Sequence, residues 1–478
     1  MQAASKRIIL LEFNELCPDL LSEWMAAGKL PNFKRFHDAS RAYIARADVE
    51  DPDLLEPWIQ WYSMHTGLSY GQHGVFHLTD GPRAGFTDIW HALADQGFTV
   101  GNCAGMNSGH VEGPGSFYLP DPWCSTEAPY PAELEAYQRV VLSQVQENSN
   151  KAAKLDGAAM LRFLKFVATH GLRPSSVQAI LRQLTTDVRN KGERWKRAAL
   201  LDRLQADVFL HYWRRLKPDF ASFFINSTAH FQHAYFHLLR PESFDLPADR
   251  FEDTDHQDAI LFGYQQMDRL LADMFELEKQ GAMLVLATAL SQHPNPRAGW
   301  NYYRPRDMQA LLNRVGIEAA RVLPVMAHQY SLEFPTDAAT DAARARLGAL
   351  RWGDQAVFSF NDSPPRTLYT GSTIHDDVPA DVQIVLPDGG TLPFHEVLYR
   401  IPHTKSGAHH PDSVLWFKTG RASIERDKVS ILDVFPTLLE YYGADPARVP
   451  GPPRAGRSLL GELALARYRG PAVAMAAE

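Results

Sequence analysis

Histidines dominate the residues of this sequence that could do chemistry, and their positions fall into groups. His230, His233 and His237 lie in NSTAHFQHAYFH, His293 in TALSQHPNP, and His409 with His410 in KSGAHHPDS. Neutral imidazoles are good ligands for a divalent metal and good proton carriers near neutral pH. A single loop histidine is usually only a hydrogen-bonded surface residue. Three groups at like places in the chain point to one shared site. A helical His233/His237 pair at i, i+4 is a local alternative, and metal-free acid–base work by the same side chains is another. LLEPWIQWYSMHTGLSYGQHG, residues 54–74, adds Glu56, Thr66-Gly67 and His73-Gly74 within an aromatic-rich passage.

These groups need elements to bring them together. RIILLEF (residues 7–13) reads as a buried parallel strand, and PDLLSEWMAAGKL after it has helical periodicity ending at Gly28. Further strand candidates are Phe98–Gly101, Phe220–Ile225, Met283–Ala287 and Val414–Phe417, separated by helix-like segments. That alternation predicts an α/β fold, a mostly parallel central sheet sandwiched by helices. Open sheets of this kind bind ligands beyond the C-terminal ends of their strands, where the histidines fall.

Residues 131–215 have helical patterns and no convincing strand, so they read as an inserted helical cap. The core is then discontinuous, 1–130 and 216–465, with a small β-containing insert at about 295–405 around Asp388-Gly389-Gly390, and a flexible tail over 466–478.

The chain has 478 residues, long enough for a large core, and 45% of them are hydrophobic. Its net charge of −8 argues against general nucleic-acid binding, yet residues 151–200 carry eleven Lys/Arg against three acids. Three cysteines, Cys17, Cys103 and Cys124, form neither a disulfide framework nor a Cys-rich zinc site. With no signal-like N-terminus and no apolar run long enough to span a bilayer, a cytoplasmic protein without a transmembrane segment is expected. The glycine-rich patterns GxGxxG and GxxxxGK[ST] are absent.

The order of motifs resembles the alkaline phosphatase superfamily, in particular its type I phosphodiesterase/nucleotide pyrophosphatase branch, over about residues 7–465. IILLEFNELCPDLLSEWMAAGKLPNF is similar to that family's opening strand, helix and LPN turn, and WYSMHTGLSYGQHGVF to its Thr-Gly and His-Gly segment. TAHFQHAYFH resembles its Asp-x-x-x-His motif, LSQHP its Ser-Asp-His-Gly, and SGAHHPDSVLWFKTG the stretch with its last metal-binding histidine. VSILDVFPTLLEYYGAD with GRSLL is similar to the family's closing segment.

This resemblance implies an alkaline phosphatase-like fold, two divalent metals, usually zinc, held by Asp and His, and a Ser/Thr nucleophile. The chain departs from that pattern consistently. Asn14 stands where the first-strand aspartate belongs, Ala229 opens the Asp-x-x-x-His motif, and Gln292 replaces the Asp of Asp-His; His233, His293 and His409 remain. The nucleophile position falls on Pro57, with Glu56 beside it.

Three lost carboxylates remove the charge that lets two cations sit a few ångströms apart. The expected site is therefore one divalent metal, zinc first, on His233, His293, His409 and Asn14, with Glu56 as the catalytic carboxylate, ligand or base. Glu12, His230 and His410 stand close enough in sequence to join it. Water activated by the metal would replace the missing nucleophile; Ser63, Ser227, Thr228 and Thr404 are lesser hydroxyl candidates. Arg162, Lys165, Arg194 and Arg197 on the cap are candidates to bind the anionic substrate, a small molecule or a polymer-end ester. The function expected is a metal-dependent hydrolase or transferase of phosphate or related esters. A catalytically inactive relative that binds an anionic ligand or a protein is the alternative, and the sequence leaves the oligomeric state open.

Overall fold

RIILLEF forms the strand Arg7–Phe13, and its alternate residues enter different cores. Ile9, Leu11 and Phe13 belong to one apolar cluster, Ile8 and Leu10 to the other. Both faces of the strand are therefore covered, which is why its sequence is a continuous apolar run and not an alternating one. The computed structural model describes residues 6–468 except 125, 148–155, 246–247, 297–300, 326–327, 362 and 402–404. Most of the expected tail, from 469 on, lies outside the described residues, as does Thr404.

The first strand is central to the main sheet, whose order is Ser423–Ile424, Arg41–Arg46, Asp412–Phe417, Ala282–Ala287, Arg7–Phe13, Phe220–Ile225, Val100–Cys103 and Phe117–Leu119. Most pairs are parallel. Asp412–Phe417 runs antiparallel to both of its neighbours. One face is covered by helices that include Pro31–His37, Ala198–Leu216 and Ala259–Glu278, through Phe33, Phe209 and Met267. The other face receives Pro57–Thr66, Ile89–Ala94 and Val434–Tyr442, through Trp61, Trp90 and Leu438. This is the α/β sandwich expected from the alternation of strands and helices.

The helical segment divides differently from the cap read in the sequence. Ala198–Leu216 buries Val208, Phe209 and Trp213 in the same core as Phe220–Ile225, so it is a sheet-covering helix. Glu135–Glu147 and Gly157–Thr169 add Tyr137, Val141, Phe166 and Val167 to that core. Pro174–Arg189 buries only Ser176 and Asp187. Between Tyr303 and Leu398 the chain builds a separate apolar core around two small antiparallel sheets. No helix among the described residues is long and apolar enough to cross a membrane.

Candidate metal centre

The site begins where the first strand ends. The Asn14 amide N–H donates to Ile225 O at 3.0 Å, carrying the parallel pairing one residue past the strand. Glu15 then takes a left-handed backbone conformation, φ 60°, rare for a residue with a side chain. Its N–H donates to Thr288 Oγ1 at 2.9 Å and its carbonyl accepts from Gln232 Nε2 at 2.6 Å. These two bonds hold the turn, and the turn breaks the alternation of the strand.

The Glu15 carboxylate is fully buried and surrounded by donors. Oε1 accepts from Asn14 Nδ2 at 2.9 Å, and Oε2 from Gln292 Nε2. Oε2 also lies 3.2 Å from His233 Nε2 and 3.7 Å from His409 Nε2. Burial alone would raise the carboxyl's pKa; the two imidazoles and the Gln292 hydrogen bond outweigh it and hold the group at about 2. It is an anion at any ordinary pH.

Two elements aim the histidines. Helix Ser227–Leu239 starts directly after Phe220–Ile225 and carries His233, whose Nδ1 donates to Gly407 O at 3.0 Å. That bond orients the ring so that Nε2 faces Glu15. His409 lies on the strand Gly407–His410, which pairs antiparallel with Ser291–Pro294 in the register Ala408↔His293 and His409↔Gln292. Burial lowers the His409 imidazole to about 3, so the ring is neutral. Its Nε2 is buried with no hydrogen-bond partner among the described residues.

One Glu15 oxygen, one His233 nitrogen and one His409 nitrogen lie within 4.8 Å of one another. An orphaned buried nitrogen beside an anion and a second aligned nitrogen fits the donor set of a divalent cation.

Glu56 stands beside this cluster, its Oε2 3.6 Å from His409 Nδ1. It is the extended residue before helix Pro57–Thr66, where Pro57 takes the first helical position and needs no N–H partner. Burial pushes the Glu56 carboxyl up to about 7, against the pull of Lys405. Lys405 also bears on His409, which makes it the cation of the site.

The structure thus gathers His233, His409 and Glu56, with Glu15 in place of His293 and Asn14. Gln292 turns in toward Glu15, so its strand neighbour His293 points to the other face, exposed, with its ring 5.3 Å from that of His410. Asn14 supports the carboxylate and does not join the donor set. Its Nδ2 also donates to Asn226 Oδ1, and its Oδ1 accepts from Trp61 Nε1 at 2.7 Å. Glu12 faces away, 3.1 Å from His65 Nε2. His230 is exposed, and the His237 ring lies near Phe244, so His233 has no partner one turn along.

Two of the hydroxyl candidates are engaged elsewhere, while Thr228 Oγ1 is buried with no hydrogen-bond partner among the described residues. His73 Nδ1 accepts from Val75 N, so its Nε2 donates to Ser63 Oγ and cannot take a proton from it. Ser227 Oγ donates to Asp202. The cap cations are also apart from the cluster: Arg197 is paired with Asp187 at 2.6 Å, and Arg162, Lys165 and Arg194 are exposed. Among the described residues none of the four shares a hydrogen bond or ion pair with Glu15, Glu56, His233 or His409.

No family model matches the sequence, and no curated protein does. Among solved structures, the chain is similar to phosphonoacetate hydrolase of Sinorhizobium meliloti 1021 bound to phosphonoformate, at 16% identity and TM-score 0.40, covering 90% of this chain and 94% of the other. Murine ectonucleotide pyrophosphatase/phosphodiesterase 5, in complex with AMP, matches at 9% identity and TM-score 0.47, with 96% and 99% covered. The alkaline phosphatase PafA matches at 14% identity and TM-score 0.47, again with 96% and 99% covered.

Proposed function

We propose that this protein is a one-metal hydrolase or transferase of phosphate or related esters. Glu15, His233 and His409 hold the metal, Glu56 moves the proton, and Lys405 receives the anionic group. One observation carries the reading: three donors on three separate segments converge within 4.8 Å, and one of them, His409 Nε2, has no hydrogen-bond partner among the described residues. Two imidazoles and one carboxylate suit zinc. When bound, such a cation supplies Lewis-acid polarisation of the ester.

The chain's own residues account for the rest. Asn14, Gln232 and Gln292 are neutral amides, so Glu15 is the only anion within the donor set, which suits one cation and not two. Pro57 offers no hydroxyl, and Ser63 and Ser227 are committed to other bonds. In this reading water or an acceptor hydroxyl attacks directly. Glu56, 3.6 Å from His409, is positioned to take its proton or to give one to the leaving oxygen. Lys405, close enough to bear on both Glu56 and His409, favours an anionic ester, small or at a polymer end.

Elemental analysis of protein purified without chelators tests this, alongside Glu15→Gln, His233→Ala and His293→Ala. About one metal per chain is expected, lost in the first two variants and kept in the third. Metal-free parent protein, or equal loss in all three variants, would overturn the assignment. Glu56→Gln should keep the metal and lower turnover of an aryl phosphate or phosphodiester by about a hundredfold or more. Unchanged turnover removes Glu56 from the chemistry.

A further inference from the structure

Among the described residues nine large hydrophobic side chains are exposed, and seven lie between Met160 and Val188. On helix Pro174–Arg189 they are Val177, Leu181, Leu184 and Val188, at i, i+4, i+7 and i+11. That spacing lines them along one face. The face they occupy is the outer one: Leu181 is 59% exposed, Leu184 51% and Val188 86%.

The inner face is polar and fully engaged. Ser176 Oγ accepts from Arg203, Gln183 donates to Asp187 and to Glu193 O, and Asp187 pairs with Arg197. An ordinary surface helix has the reverse arrangement. Met160, Leu161 and Leu164 on the preceding helix, Gly157–Thr169, are exposed as well.

Charge decides what could cover such a stripe. Arg162, Lys165, Arg182, Arg189 and Lys191 are exposed on the same segment, and among the described residues none has a carboxylate within 4 Å. The three acids of residues 151–200 do not pair with them: Asp156 caps Gly157–Thr169 through Ala159 N, and Asp187 and Glu193 are paired with Arg197 and Lys196. A second copy of this face would set cation against cation. Nucleic acid would meet the cations but not the leucines. An anionic bilayer meets both, its acyl region taking the apolar side chains and its headgroups the cations.

We infer that the helical segment 157–191 docks this protein on anionic lipid surfaces, with Leu181 and Leu184 inserted and Arg162, Lys165, Arg182 and Arg189 on the headgroups. Flotation of the full-length protein tests it, with vesicles of phosphatidylcholine alone and with about 30 % phosphatidylserine. Binding at least about tenfold stronger to the anionic vesicles is expected, weakening in high salt. Leu181→Gln with Leu184→Gln, and separately Arg182→Gln with Arg189→Gln, should each reduce it about tenfold with an unchanged melting curve. Absence of preference for anionic vesicles, or binding that survives both variants, overturns the inference. So does a dimer by light scattering that the leucine variant dissolves, because the stripe would then be covered by a second copy. Single-stranded nucleic acid binding that the leucine variant leaves intact, without vesicle binding, overturns it as well.

Discussion

A Cβ at position 407 would lie 2.2 Å from Gln292 Oε1 and 2.6 Å from the Gln232 carbonyl oxygen. Gly407 therefore lets the His409 strand lie against the two amides that steady Glu15. Gly407→Ala should cost about 1–3 kcal/mol in a denaturant melt and weaken metal retention, because the backbone carbonyl cannot move aside. A variant with parental stability and metal content would show that the strand can shift without disturbing the donors. The donor set itself was only partly legible in the sequence. His233, His409 and Glu56 could be read from strand ends and motif order. Glu15 could not, because strand alternation turns it away from the side of Asn14, and only its positive φ brings it back. His293, expected in the donor set, is turned outward for the opposite reason. With Gln292 facing in, its neighbour on a strand must face out, and that rule was available from the sequence.

At the scale of elements, helix Ile89–Ala94 illustrates how buried charge is held. Asp88 caps it through His91 N and also pairs with the His91 ring at 2.7 Å. The Asp88 charge raises the His91 imidazole to about 9, while Asp88 itself is lowered. An unfolded histidine loses its proton near 6.5. The pair's stabilisation is therefore full at about pH 6 and fades as pH rises through about 9. His91→Gln should lower the melting temperature by a few degrees at about pH 6 and by less at about pH 9.5. An equal difference at both pH values would mean that solvent screens the pair. Among the strands, buried apolar runs such as Phe220–Ile225 and Ala282–Ala287 declared themselves in the sequence. Arg41–Arg46 did not, since RAYIAR begins and ends in arginine, and Phe117–Leu119 is only three residues long. Both are assigned by their neighbours, not by their composition.

For the whole molecule, Arg173 joins helix Pro174–Arg189 to the sheet-covering layer. At the turn before Pro174–Arg189, its side chain pairs with Asp207 on Ala198–Leu216 and, at 2.6 Å, with Asp273 on Ala259–Glu278. Asp207 is 2% exposed, so Arg173→Ala strands a buried carboxylate. A loss of about 3 kcal/mol is expected, with protease cleavage appearing first between 157 and 191. Cleavage elsewhere, or an unchanged melt, would show that the segment is held without the Arg173 pairs.

Glu15 and His409 are separated by nearly the whole chain, yet their side chains meet, Glu15 just past the first strand and His409 on the ladder Gly407–His410 with Ser291–Pro294. During synthesis Glu15 leaves the ribosome first and waits for a partner made near the end. Asp412–Phe417, the strand that continues from the His409 segment, must find its slot beside Ala282–Ala287 before the donors can converge. On the proposed reading, a C-terminally truncated chain lacks His409 and with it one of the three donors.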